Sequence, residues 1–320
     1  LGAAVGVGSP VVDGFGNVRV GDLDGQVTAI DAEGELQWLH KTGSSIQAGL
    51  ALGAEGTVYA PTVAGKLHAL IGGTEKWFYQ AGGSIQSSPV LTSTGQIIFG
   101  SDDGNLYAVA PNGTKEWSVS LGSVIRSSPA LMDDGTILVG SFDGTLHARN
   151  ADGSPSWTYA TGGAIVIPPV VGPTGTIVVG SMNSKLYGVS AEGTKLWEFA
   201  LQAPLTHGIA MATDGSLNVM QATGGEFVPG VLSHVSADGT LNWEFSAGTT
   251  NYVAPIIGAD GIVYTGWEDG NIYAIDPTNI TDKVHWSTNL GDAIQNGLAI
   301  GGNGSLIAVT ANGMVYALWP

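Results

Sequence analysis

The chain has no cysteine among its 320 residues, which excludes disulfides, thiolate metal sites and cysteine nucleophiles while leaving the redox compartment open. Basic residues are also scarce: 10 Lys and Arg face 27 Asp and Glu, a formal charge of −17. Nucleic acid and anionic membrane both demand a basic surface, so neither is expected as a partner of so acidic a chain. No run approaches the roughly 18 apolar residues of a membrane helix, so direct membrane insertion is not expected. No Ser-His-Asp arrangement or phosphate loop stands out, and the six histidines show no ligand spacing. Asp22-Leu23-Asp24 and Asp102-Asp103 offer too few acids for the six to eight oxygens that Ca²⁺ takes, and both fall where Asp-Gly turns belong. The expectation is therefore a protein without a metal, without a cofactor and without catalytic activity.

Glycine is abundant instead, with 50 residues against a usual share of about 7%. Most of it marks turns. Between Ile125 and Trp157, apolar runs at Arg126–Met132, Ile137–Gly140 and Leu146–Arg149 are separated by Asp134-Gly135, Asp143-Gly144 and Asp152-Gly153, and a last run carries Trp157 and Tyr159. Such pairs accept the positive φ of tight hairpins, so the stretch predicts four antiparallel strands, the size of one propeller blade. The unit recurs. Trp38, Trp77, Trp117, Trp157, Trp197, Trp243 and Trp286 follow one another at spacings of 39, 40, 40, 40, 46 and 43. Gly16, Gly56, Gly95, Gly135, Gly175, Gly215, Gly261 and Gly304 mark eight units. A repeat of this period predicts one all-β, eight-bladed propeller over 1–320, with blades at about 1–41, 42–81, 82–121, 122–161, 162–201, 202–247, 248–290 and 291–320.

Runs such as Ile97-Ile98-Phe99 and Ile177-Val178-Val179 are apolar on both faces, as strands between packed blades must be. The outer strand alternates, with Trp117 and Val119 inward, and its tryptophans are read as structural. Blade 6 departs through an insertion at 221–230, and blade 7 through a long hairpin at 276–282. Blade 8 lacks an outer strand, with Trp319 read as part of its third strand. An uncovered apolar edge is an aggregation hazard. Leu1-Gly2 matches Leu121-Gly122, the tail of an outer strand, so residues upstream of Leu1 are expected to supply the missing strand and its tryptophan.

Ser87-Ser88-Pro89-Val90 and Ser127-Ser128-Pro129-Ala130 in first strands, Leu106-Tyr107-Ala108 and Leu146-His147-Ala148 in third strands, and the outer-strand tryptophans resemble the PQQ-like quinoprotein β-propeller repeat. Its tryptophan-docking pattern is approximated, one residue short, by Ala29, Asp31, Gly34 and Trp38. WD-repeat propellers fit worse, since no Trp-Asp dipeptide occurs. The resemblance is nearest to the non-catalytic branch, which includes the outer-membrane-protein assembly lipoprotein. The dehydrogenase branch holds PQQ and Ca²⁺ beside a disulfide of adjacent cysteines, and this chain has neither the cysteines nor the long insertions. A protein- or peptide-binding scaffold of the cell envelope is implied: periplasmic, cell-surface or secreted. The alternative is a small ligand, PQQ or a sugar, in the channel mouth.

Aligning the blades places Val7, Gln47, Gln86, Arg126, Val166, Thr206, Tyr252 and Gln295 around one mouth of the channel, with Arg126 as its only cation. Hairpin tips of the same face are expected to bring Leu23, Val63, Phe142, Met182, Phe227 and Trp267 together as an apolar partner surface. His68 and His147 stand where other blades carry Tyr107, Tyr187 and Tyr273, and are read as core variants.

Overall fold

The computed structural model describes residues 8–221, 229–251, 253–295 and 297–319. Seven four-stranded antiparallel sheets and one of three strands follow each other along the chain, each meandering from first to last strand. Together they form an eight-bladed propeller ring. Blade 4 sets the pattern with Ala130–Leu131, Ile137–Gly140, Thr145–Arg149 and Pro155–Ala160. In its second hairpin the Asp143 carboxylate accepts from Thr145 N–H at 3.0 Å and from the Ser141 hydroxyl at 2.6 Å. Gly144 takes φ 83°, the left-handed geometry that the turn requires.

The first strand is shorter than the apolar run predicts. Only Ala130–Leu131 pairs with the second strand, because Pro129 has no N–H to donate and the serines before it bond to neighbouring blades. The second strands of blades 2 to 8 are buried throughout, as at Ile97–Gly100 and Ile137–Gly140, whereas that of blade 1, Val18–Gly21, alternates buried and half-buried residues. Blades meet face to face: Leu138 and Leu146 of blade 4 pack with Ile177 and Val179 of blade 5. The ring also closes, since Val18 and Val20 of blade 1 share a core with Ile307 and Val309 of blade 8. Glycine at the end of the second strand reflects close approach: a Cβ on Gly140 would lie 2.1 Å from Ile165 Cγ2.

The outer-strand tryptophans from Trp38 to Trp243 dock on the next blade. Trp77, Trp117 and Trp157 donate their indole N–H to the carbonyls of Pro111, Ala151 and Ala191 at 2.9, 3.2 and 2.8 Å. Their rings lie over Gly113, Gly153 and Gly193, where a side chain would collide with them. The long hairpin of blade 7 serves the same purpose, because its Pro277 carbonyl accepts from Trp243 at 3.1 Å. The insertion of blade 6 falls almost wholly on residues outside those described. Trp319 follows the third strand Val315–Leu318 of blade 8 rather than belonging to it, and is 70% exposed. Beside that strand a groove of about 840 Å³ opens against Ala32, Gly34 and Leu36 of blade 1.

The aromatic position of the third strand is shared by Tyr107, His147 and Tyr187, paired with Phe99, Val139 and Val179. Burial pushes the His147 imidazole below its ordinary pKa, with Arg149 adding to the depression and Asp143 opposing it. His234, stacked on Trp243 at 4.9 Å, is lowered by burial as well. Unfolded histidine protonates near pH 6.5. Below that value the unfolded chain binds more protons than the folded one, so stability falls as pH drops through this window. The melting temperature should therefore be lower at pH 5.5 than at pH 7.5. His147→Tyr, which installs the residue used by neighbouring blades, should flatten part of that slope; an unchanged slope would remove His147 from the account.

Candidate functional site

The channel mouth is built by the Ser-Ser-Pro segments. Ser88 Oγ accepts from Gly49 N–H at 2.8 Å, and Ser128 Oγ accepts from Ser88 N–H at 2.9 Å. Ser127 Oγ donates to the Ile167 carbonyl at 2.9 Å. These bonds run from blade to blade around the axis, and they fix the residue just ahead of each segment at the rim of the channel. The structure accordingly brings Gln47, Gln86, Arg126, Val166, Thr206 and Gln295 together around a funnel of about 560 Å³. Val7 and Tyr252 lie outside the described residues.

The rim is more acidic than its own residues suggest. Arg126 makes a two-pronged bond to Asp102, Nε to Oδ1 and Nη2 to Oδ2, both at 3.0 Å. This holds the guanidinium above its usual pKa, and it means that an incoming carboxylate has to compete with Asp102. Gln86 donates to the same Asp102 oxygen at 3.2 Å. Across the ring, Gln295 donates to Glu268 at 3.1 Å, and the Thr250 hydroxyl donates to the other Glu268 oxygen. Asp103, beside Asp102, accepts from the Tyr107 hydroxyl at 2.5 Å and is thereby used within its own blade. Thr206 Oγ1 and His207 Nδ1 lie 2.8 Å apart at the rim, and burial pushes the His207 imidazole below its ordinary range.

Of the hairpin tips, Leu23, Phe142 and Met182 are exposed, at 42%, 38% and 41%. Val63 is half-buried. The Arg126 guanidinium sits 5.2 Å from the centre of the Phe142 ring, so tip and rim form one continuous surface there. Phe227 lies outside the described residues. Trp267 is not on this surface. It is fully buried, edge-on to Phe245 and Tyr273 at 6.0 and 6.2 Å. The reason is register: Gly270 N–H bonds to the Trp267 carbonyl as Gly144 N–H bonds to that of Ser141. Trp267 thus occupies the inward position that Ser141 holds, and Glu268 is the tip.

Asp102 and Glu268 are rim components that an alignment of the first strands does not reveal. The available signal was their place in the hairpin, level with Phe142 and Met182. His207, Ser88 and Ser128 reach the funnel because each is next to, or one removed from, a rim residue.

No curated protein sequence matches the chain. Among solved structures, BamB from Moraxella catarrhalis superposes with a TM-score of 0.75 at 20% identity, covering 97% of this chain and 92% of that one. A europium-containing methanol dehydrogenase gives 0.78 at 15% identity, with 97% and 83% covered. Quinohemoprotein alcohol dehydrogenase from Comamonas testosteroni gives 0.79 at 14% identity, with 97% and 71% covered. At these identities the likeness is one of fold. The family model described as outer membrane protein assembly factor BamB matches residues 23–109, 102–244 and 182–279, well over half of the sequence, and the chain belongs to that PQQ-like propeller family.

Proposed function

We infer that this propeller is a non-enzymatic scaffold of the cell envelope that holds a protein or peptide segment across the channel mouth. The observation that carries the reading is the joining of Arg126, Asp102 and Gln86 with the exposed Phe142 ring in one surface, polar in the funnel and apolar at its edge. Interfaces draw their energy from such aromatic and arginine anchors ringed by hydrogen-bonding groups. The family's description as an outer membrane protein assembly factor supports a protein partner at the outer membrane.

A photo-crosslinking side chain at Phe142 should capture a protein from the envelope fraction. The same probe at Asp152, in a hairpin on the opposite face of the disc, should capture none. Arg126→Ala should weaken that capture roughly tenfold or more, the effect of losing about 1.4 kcal/mol. The partly exposed ion pair with Asp102 contributes only about 0–1 kcal/mol to folding, so the melting temperature should barely move. Equal capture at both positions would overturn the reading.

A small ligand is the second reading, favoured by a funnel volume of about 560 Å³, within the size range of ligand pockets. PQQ itself fits poorly. It carries three carboxylates, and among the described rim residues the one guanidinium, that of Arg126, is already held by Asp102. A neutral sugar bonded by Gln47, Gln86 and Gln295 is the form that the rim admits. A thermal shift with a monosaccharide panel, set beside PQQ with Ca²⁺ and a dye-linked alcohol oxidation assay, separates these ligands from the scaffold reading.

A further inference from the structure

Three blade junctions repeat one aromatic contact. The residue two after the outer-strand tryptophan meets the aromatic position of the next blade's third strand. The pairs are Tyr79–Tyr107 at 5.7 Å, Tyr159–Tyr187 at 5.7 Å and Phe245–Tyr273 at 5.4 Å. At the junction of blades 1 and 2 both members are histidine. His40 comes from the outer strand Leu36–Lys41 of blade 1, and His68 from the third strand Lys66–Ile71 of blade 2. A third departure falls at the same place. Glu75 pairs with Leu70 where the other outer strands place Leu36, Lys115, Pro155, Lys195, Leu241 and Val284, so it is the one acid at that position.

The three departures converge. One ring nitrogen from each histidine and one Glu75 oxygen all lie within 4.8 Å of one another. Glu75 Oε2 is 2.5 Å from His68 Nδ1, and His40 Nδ1 is 3.0 Å from the Gly73 carbonyl. His68 is 3% exposed, and its Nε2 is buried with no partner among the described residues. We propose that His40, His68 and Glu75 form a divalent-cation site of the Zn²⁺ class that ties the outer strand of blade 1 to blade 2.

The donor set decides the metal. Two imidazoles and a carboxylate suit Zn²⁺ and its neighbours in the first transition row, whereas Ca²⁺ and Mg²⁺ want oxygen alone. Three protein ligands leave a fourth, water-filled position. Bonds of about 2.0–2.1 Å place tetrahedral ligand atoms about 3.3 Å apart, so separations of up to 4.8 Å have to close by an ångström or so, while the 2.5 Å contact between Glu75 and His68 has to open to admit the ion. His40 and Glu75 stand on solvent-facing outer strands and have room to do so. Metal binding needs neutral imidazole. Burial, the largest influence on His68, favours the neutral ring, and Lys66 and His40 act in the same direction against Glu75. Lys66 also limits affinity, since its ammonium stays near the site over the Phe78 ring at 4.0 Å.

The test uses Co²⁺ as a spectroscopic stand-in and Zn²⁺ for calorimetry, on chain freed of metal with a chelator. The wild type should give the visible absorption of tetrahedral Co²⁺, displaced by Zn²⁺, together with a rise in melting temperature that scales with free Zn²⁺. His40→Phe and His68→Tyr install the residues used at the other junctions, so both should fold and both should lose the absorption. Glu75→Gln should bind Zn²⁺ roughly tenfold or more weakly. A wild type without the Co²⁺ bands would overturn the proposal, as would full Zn²⁺ affinity in folded His68→Tyr.

Discussion

Trp157→Ala should lower stability by about 3–5 kcal/mol, the usual cost of emptying a large aromatic site. The informative comparison is between two milder changes. Trp157 donates its indole N–H to the Ala191 carbonyl at 2.8 Å, whereas Trp197 lies over Gly239 in the same way with its N–H unpartnered among the described residues. Phenylalanine keeps most of the apolar contact in both places and removes the donor from both. Trp157→Phe should therefore cost about 0.5–1.5 kcal/mol more than Trp197→Phe, the net worth of one hydrogen bond. Denaturant midpoints for the four proteins, wild type included, measure the difference. Equal costs would mean that the indole contributes area alone, and that the 34-residue step from donor to acceptor is incidental.

That step shows what the sequence made legible. A fixed interval between tryptophans is a statement about stacking, because a side chain that docks on the next unit must return at the length of the unit. The same holds for Ser-Ser-Pro: the serines recur because their hydroxyls bond to the adjacent blade around the channel. Properties shared by all blades could be read from one. What escaped were differences between blades expressed across a junction. Arg126 reads as a free cation until Asp102, from the hairpin of the preceding blade, is set beside it. Trp267 reads as a tip residue because tip and inward position differ by one residue, and a single shift turns a side chain from solvent to core. His40 and His68 lie 28 residues apart and Glu75 a further 7, intervals that match no ligand spacing. They meet because one strand lies at the rim of its blade and the others in the next.

The groove of blade 8 yields the second large effect. Trp77, Trp117 and Trp157 lie over Gly113, Gly153 and Gly193, but a Cβ on Gly34 of blade 1 would meet nothing within 4 Å. Around it Leu36, Leu39 and Met314 are exposed at 57%, 49% and 53%, and the last strand of the sheet, Val315–Leu318, has no outer neighbour among the described residues. The register of blade 3, with Ala108 opposite Trp117, specifies the occupant: a strand whose tryptophan faces Ala317, lies on Gly34 and donates to the Ala32 carbonyl. A copy of residues 112–120 joined directly ahead of Leu1 reproduces the natural run into Leu121-Gly122 and should fill the groove. A buried tryptophan removes roughly 150–250 Å² from water, worth about 4–6 kcal/mol before the cost of ordering the strand. With a chain of this length, each net kcal/mol raises the melting temperature by roughly 2 °C. The extended protein should therefore melt about 5 °C or more above the parent and aggregate less on heating, because the added strand pairs with Val315–Leu318. Replacing the added tryptophan by alanine should remove most of the gain. If the extension leaves the melting temperature unchanged, the groove does not take an outer strand in this register.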